Sequence, residues 1–295
     1  MTLLNARAGH WTSETTGVTV ILPPPGTVAS GEIRGGAPAS REFALLEPTR
    51  LVDRVDAVVL SGGSAFGLAA GDGVMQLLRA HGIGLPTPAG PVPIVVGLSL
   101  FDASVAALVR PDFAEGGRLA AQAALDGVPF TTGPVGAGTG AATGKWRERL
   151  DPGGLGLAQA SAGEATVVAL AAVNAWGDVI GPDGRPLIAP GEIPPAPAAP
   201  PFPTANTTIA VVLTDAKLDK VGCNWLAQSA HTGFARALNP AHTRYDGDAV
   251  VALATGELST PVDLEHLRAV TAETMTAAIR ASSPAPGSGP TPLSR

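Results

Sequence analysis

The sequence predicts an α/β or layered α+β fold, and three observations carry that prediction. Apolar, β-branched runs recur along the chain, each bounded by Gly or Pro, as buried strands are. Between them lie stretches with apolar residues at helical spacing. The 37 glycines and 28 prolines make up about 22% of 295 residues, against an ordinary ~12%, so turns and close backbone approaches are many and a helical bundle is excluded. A wholly disordered chain is excluded too, with 45% hydrophobic and 15% charged residues, and no G-X-Y period points to collagen.

In chain order, residues 18–22 (VTVIL) read as a strand stopped by Pro23, Pro24 and Pro25. Residues 34–39 (RGGAPA) read as a turn-rich loop, and 55–60 as a buried strand meeting the turn Ser61-Gly62-Gly63. Helical spacing follows over 65–80, through Phe66, Ala69, Ala70, Val74, Leu77 and Leu78. Residues 93–100 are a further buried strand, and 114–125 a helix of small residues. A glycine loop, 133–144, ends at Lys145, and 155–162 and 164–173 read as two strands. From 182 to 203 there are nine prolines in 22 residues, a density that regular structure does not survive. After it come a strand at 207–214, an amphipathic helix at 218–238 stopped by Asn239-Pro240, a strand at 249–254 and a helix at 261–281. Residues 282–295 (SSPAPGSGPTPLSR) read as a disordered tail.

Composition limits function. The net charge of −6 and the absence of any Lys/Arg run give no nucleic-acid footprint. The single cysteine, Cys223, excludes an intrachain disulfide and a cysteine cage for zinc or iron–sulfur. The longest apolar runs are about half a membrane span, and no signal peptide is visible, so the chain reads as a soluble cytoplasmic protein. Gly136-x-Gly138-x-x-Ala141 meets the dinucleotide pattern only superficially, and Lys145 follows no Walker A spacing. The histidines at 10, 81, 231, 242 and 266 show no metal spacing and read as surface or core imidazoles.

Two places hold chemistry. At Asn206-Thr207 the proline-rich segment runs directly into an apolar strand. Cut there, the chain would expose an N-terminal threonine, whose hydroxyl sits beside an α-amine that ordinarily titrates at ~7.7–8. Read by itself, the joint is only a linker meeting a strand. Downstream, Asp246 and Asp248 flank Gly247 just before a strand, a spacing that puts both on one side of an extended segment and could hold a protonated amine. Read by themselves, they are equally a turn or cap.

The run NTTIAVVLTDAKL, followed by LAQSAHTGFARALNPAHTRYDGDAVVALATGE, resembles the C-terminal part of the DmpA family of self-cleaving N-terminal-nucleophile aminopeptidases and amidases, which includes nylon-oligomer hydrolases and β-peptidyl aminopeptidases. GHWTSETTGVTVIL, ASGEIRGGAPASRE, VVLSGGSAFGLAAGDGV, VGAGTGAATGK and VVALAAVNAWGDVIGPDG resemble its N-terminal segments in order, so the likeness covers about residues 8–281. It implies an αββα sandwich shared with the ornithine acetyltransferases and cleaved into a large fragment, 1–206, and a small one, 207–295. Residues 1–281 would form one self-processing domain, with 182–205 an exposed linker.

By the same resemblance Thr207 matches the nucleophile and Asn206–Thr207 the cleaved bond. Asp246 and Asp248 match the pair that orients the nucleophile and its amine, Asn174 an oxyanion contributor, and Lys145 a lysine beside the nucleophile. Ser64 and Phe66 fall at the substrate pocket, where Phe66 replaces a frequent tyrosine and so lacks its hydroxyl. The implied activity is hydrolysis of small peptides or amino-acid amides, with no metal or cofactor, in a homo-oligomer of cleaved pairs of tetrameric type, without nucleic-acid or membrane partners. The alternatives are acyl transfer of the ornithine-acetyltransferase kind and a catalytically silent binding protein on the same fold.

Overall fold

The computed structural model describes residues 3–106, 110–188 and 206–283. Strands β1 (Arg7–Thr12), β2 (Gly17–Leu22), β3 (Val28–Ile33), β4 (Ala39–Arg41), β5 (Ala57–Ser61) and β6 (Val95–Ser99) come first. The two-residue ladder of β7 (Ala142–Thr143) and β8 (Asp151–Pro152) follows, then β9 (Gly154–Ala162), β10 (Ala165–Asn174), β11 (Asp178–Val179), β12 (Thr207–Thr214), β13 (Leu238–Asn239) and β14 (Ala249–Ala254). The long strands form two five-stranded sheets, ordered β1-β2-β5-β6-β4 and β3-β14-β12-β10-β9. Helices α1 (Ala70–Ala80) and α2 (Phe113–Leu125) pack on the first sheet, and α3 (Lys220–Ala237) and α4 (Leu264–Ala281) on the second.

Side-chain alternation builds the layers. In β12, Ile209, Val211 and Leu213 join Ile21, Leu60 and Leu98 in a core between the two sheets. Ala210 and Val212 point the other way, against Leu226 and Phe234 of α3 and Met275 and Ile279 of α4. A third core fills the space between the first sheet and α1–α2, with Val18, Val20 and Val59 against Val74, Leu78 and Ala121. Three cores between four layers make the expected αββα sandwich. Each sheet also holds one parallel pair, β5 with β6 and β12 with β14. A helix lies between its two strands in the chain, α1 in the first case and α3 in the second.

Helix starts follow local chemistry. Asp219 accepts the Gly222 N–H at 2.8 Å and Asp263 accepts the amides of Glu265 and His266, so α3 and α4 begin two or three residues later than periodicity suggests. The expected helix at 65–80 splits into a 3₁₀ turn, Ser64–Ala69, and α1. Strands β1, β3 and β4 carry too little apolar alternation to be read from sequence. The linker expected at 182–205 is described only to residue 188, where Leu187 N–H still donates to Val179 O at 2.8 Å. Its remainder and all but the first two residues of the expected tail lie outside the described residues.

Helices α1 and α2 touch backbone to backbone: a Cβ on Gly117 would overlap Ala70 O. In an open helix Gly→Ala stabilises by about 0.8–1.0 kcal/mol. Here the clash wins, so Gly117→Ala is expected to destabilise by about 1–3 kcal/mol, read as a lower thermal midpoint; a raised midpoint would mean the helices stand apart.

Candidate active site

The parallel register of the second sheet pairs Ile209 with Ala249. Carried two residues toward the strand starts, it brings Thr207 level with Gly247. Gly247 N–H donates to Thr207 Oγ1 at 2.9 Å, and a Cβ on Gly247 would stand 2.8 Å from that oxygen and 2.7 Å from Ala37 O. Only glycine allows this approach. The antiparallel register with β10 sets Asn174 directly across from Thr207. By parity both belong to the face that meets the first sheet, while Thr208 belongs to the helix face, where its Oγ1 is buried and finds no hydrogen-bond partner among the described residues.

Thr207 is 4% exposed and Asn206 1%. Thr207 has φ 135°, a region that a β-branched residue enters only under strain, typically of order 1–3 kcal/mol. The carbonyl before it, Asn206 O, accepts from Phe101 N–H at a long 3.4 Å. Phe101 follows β6 of the first sheet, so the junction lies where the two sheets meet. The Asn174 side chain fastens the same loop: its Nδ2 donates to Phe101 O at 2.7 Å. Asn174 Oδ1 accepts Ala142 N–H at 2.9 Å and Lys145 Nζ at 2.7 Å, and Lys145 Nζ also reaches Asn174 O at 3.1 Å. Lys145 is brought there by the end of the glycine loop, where Gly144 N–H donates to Gly177 O and Trp146 N–H to Trp176 O.

Both aspartates are 1% exposed. Asp246 accepts Trp176 N–H at 3.2 Å on Oδ1, and Thr243 N–H at 3.2 Å and Thr243 Oγ1–H at 2.5 Å on Oδ2. Asp248 Oδ1 accepts Thr208 N–H at 2.8 Å. The 34–37 loop clasps the segment from the other side, with Arg34 and Gly35 N–H on Asp248 O and Ala37 N–H on Asp246 O. Burial first, and the negative charge of Asp248 second, push the Asp246 carboxyl up to about 6. Burial pulls the Lys145 ammonium down to about 7, against the attraction of Asp246 and Asp102. A carboxyl and an amine of opposite sign are thus both moved toward neutrality, a setting in which protons transfer readily.

Asn206, Thr207, Asn174, Lys145, Asp246 and Asp248 therefore come together around one strand end. Ser64 sits in a left-handed conformation at φ 56° and donates its N–H to Leu100 O at 2.9 Å, one residue before Phe101. Phe66 is 47% exposed, with the Arg110 guanidinium 3.7 Å over its ring. A groove of about 930 Å³ among Leu22, Pro24, Val52, Leu78 and Ile83 contains none of these residues. Sequence reasoning missed Phe101, whose contribution is a backbone N–H. It also missed Asp102, 2% exposed, which accepts from Thr16 Oγ1, Gly63 N–H and both the N–H and Oγ of Ser104. Its one signal was an acid directly after an apolar strand.

The Lys145 shift has a measurable consequence. The unfolded side chain titrates near 10.5 and the folded one near 7. Between those values the unfolded chain binds more protons, so this group makes stability rise with pH across that window; below about 7 its penalty is constant. Lys145→Met is expected to flatten that rise in urea unfolding followed from neutral to alkaline pH. An unchanged slope would show that the ammonium is not crowded.

The model of peptidase family S58 matches residues 4–285. The chain is 43% identical over 279 residues to an uncharacterized aminopeptidase of Mycobacterium tuberculosis, covering 88% of this chain and 78% of that protein. It is 29% identical over 272 residues to a 6-aminohexanoate-oligomer endohydrolase of Paenarthrobacter ureafaciens, covering 86% and 73%. Among solved structures, a Burkholderia sp. beta-aminopeptidase superposes with TM-score 0.68 at 23% identity, covering 94% of this chain and 83% of the other. The L-aminopeptidase D-Ala-esterase/amidase of Ochrobactrum anthropi superposes with TM-score 0.67 at 18% identity, with the same coverage. Both share the fold, a variant of the Ntn-hydrolase fold. The protein belongs to peptidase family S58 and is a hydrolase of peptide or amide bonds.

Proposed function

We propose that this hydrolase cuts its own Asn206–Thr207 bond and then works as an aminopeptidase or amidase with Thr207 as the N-terminal nucleophile. One observation carries the reading. A buried β-branched residue is held at φ 135° at the head of a core strand, its Oγ1 on the Gly247 N–H and its preceding carbonyl on the Phe101 N–H. Thr207 Oγ attacks the Asn206 carbonyl carbon. The new C–O bond replaces the C–N bond, and the hydroxyl proton passes to the departing Thr207 nitrogen. Phe101 N–H bears on the oxyanion, in a loop that Asn174 fixes. That shift frees the Thr207 amine; water then hydrolyses the ester, restoring the Thr207 hydroxyl and releasing the Asn206 carboxylate.

In the uncut chain Thr207 has no free amine, so this first step needs another base. Lys145, brought to about 7, is suited to it. In the mature enzyme the Thr207 amine takes that role in a field set by Asp246 and Asp248, and the same hydroxyl attacks the substrate. Fragments 1–206 and 207–295 stay together, because all eight residues of β12 are buried. The substrate class is small peptides, amino-acid amides or related amides, in keeping with relatives named for aminopeptidase and amide-oligomer hydrolysis. We place the enzyme in the cytoplasm as a homo-oligomer of cleaved pairs.

The test is turnover of aminoacyl and β-aminoacyl p-nitroanilides by the purified protein. Thr207→Ala is expected to abolish both self-cleavage and turnover, by more than about 10³-fold, since loss of a nucleophile is worth up to ~10⁶. Thr208→Val removes a buried hydroxyl that has no partner among the described residues, so cleavage should persist and stability should hold or rise. Processing that survives Thr207→Ala, or fails in Thr208→Val, would move the nucleophile.

A further inference from the structure

The ladder between β12 and β14 begins at Ile209 and Ala249. One residue earlier, the Thr208 N–H donates instead to the side chain of Asp248, at 2.8 Å, so a carboxylate adds a rung at the nucleophile's own peptide. The other oxygen of that carboxylate, Oδ2, is held by one residue twice: the His242 backbone N at 3.0 Å and the His242 ring Nδ1 at 2.9 Å. An ionised carboxylate only accepts hydrogen bonds, so Nδ1 carries the proton whenever Asp248 is charged. His242 stands at φ 54°, a conformation that aims its N–H and its ring at one oxygen. Its ring stacks on Phe234 with centroids 5.5 Å apart and meets His231 edge-on at 4.8 Å.

We propose that His242 is a positioning residue of this active site: by holding Asp248 Oδ2 through two N–H groups, it turns Oδ1 onto the Thr208 N–H and so fixes the peptide on which the Thr207 hydroxyl rides. The catalytic consequence rests on the proposed function; the mechanical one does not. His231 does not share the task. Its Nε2 faces Glu32 O at 3.0 Å, which assigns that nitrogen the proton; its ring meets that of His242 edge to face, and its carbonyl lies 3.4 Å from His242 Nε2, on the far side of the ring from Asp248. The competing account is that the His242 ring merely fills space beside Phe234.

Two substitutions separate the accounts. His242→Phe keeps an aromatic ring on Phe234 and deletes the ring donor. His242→Asn keeps an N–H near the Nδ1 position, loses the ring, and tolerates positive φ. Both are compared with the unsubstituted chain by thermal midpoint, p-nitroanilide turnover, and hydrogen exchange of the peptide that holds Thr208.

For His242→Phe, we expect a lowered midpoint, because a buried carboxylate oxygen loses a donor, together with faster Thr208 exchange and turnover lower by about 10- to 100-fold, the loss typical when a group orienting a working side chain is removed. His242→Asn is expected to keep Thr208 protection and turnover within a few-fold, at a lower midpoint. Should His242→Phe fail to fold, His242→Gln, whose amide reaches past the Nδ1 position, is expected to show the same exchange and turnover losses. Native Thr208 protection and native turnover without the ring donor would overturn the proposal, as would equal damage in His242→Asn. If the unsubstituted protein neither cleaved itself nor turned over any amide, the proposed function would fall, while Thr208 exchange would still decide the role of His242.

Discussion

The site depends on the parallel pairing of β12 with β14. Because both strands start at the same end of the sheet, Thr207, the first residue of β12, and Asp246-Gly247-Asp248, just before β14, are forced side by side. An antiparallel pairing would have sent the aspartates to the opposite edge. The rung Ile209–Ala249 then fixes which atoms meet, and the result is the Gly247 N–H on Thr207 Oγ1. Asn174 arrives by the other neighbour of β12, and Lys145 by a glycine loop pinned against residues 176 and 177. The first sheet supplies the remaining piece, the Phe101 N–H, across the interface that its apolar face buries. A single strand end thus collects groups from four distant parts of the chain.

That placement also governs the electrostatics. Burial at this strand end removes water from Lys145 and Asp246, and it moves an amine down and a carboxyl up. Neither shift needs a special partner. The aspartate pair raises Asp246 further, because two negative charges are held close in a poorly solvated place. Each carboxylate is fully engaged: Asp248 is met by three N–H groups, from Thr208 and twice from His242, and Asp246 by the Trp176 and Thr243 N–H groups and the Thr243 hydroxyl.

Much of this is legible in the sequence. Strand 249–254 is apolar throughout and 207–214 has an apolar run, 209–213, between threonines; both sets of bounds survive unchanged in β14 and β12. The helical stripes of α3 and α4 show plainly, shifted only by their aspartate caps. Strand β3, with Gly31 and Glu32 inside it, has no apolar alternation, because it is an edge strand whose one flank meets β14. What sequence cannot display is pairing. Nothing local says that β12 and β14 run parallel, so the meeting of Thr207 and Gly247 was available only through family likeness. Phe101 was invisible for a related reason: a backbone amide has no residue-type signature. His242 read as an ordinary imidazole, since its partner lies six residues away across a turn.

The central claim is that the strained, buried junction at Asn206–Thr207 is where the chain cuts itself. Intact mass spectrometry with N-terminal sequencing of the purified protein tests this most directly. The account predicts two fragments that co-purify, the smaller beginning at Thr207. A single chain of full mass after prolonged incubation, or a small fragment beginning at any other residue, would contradict it.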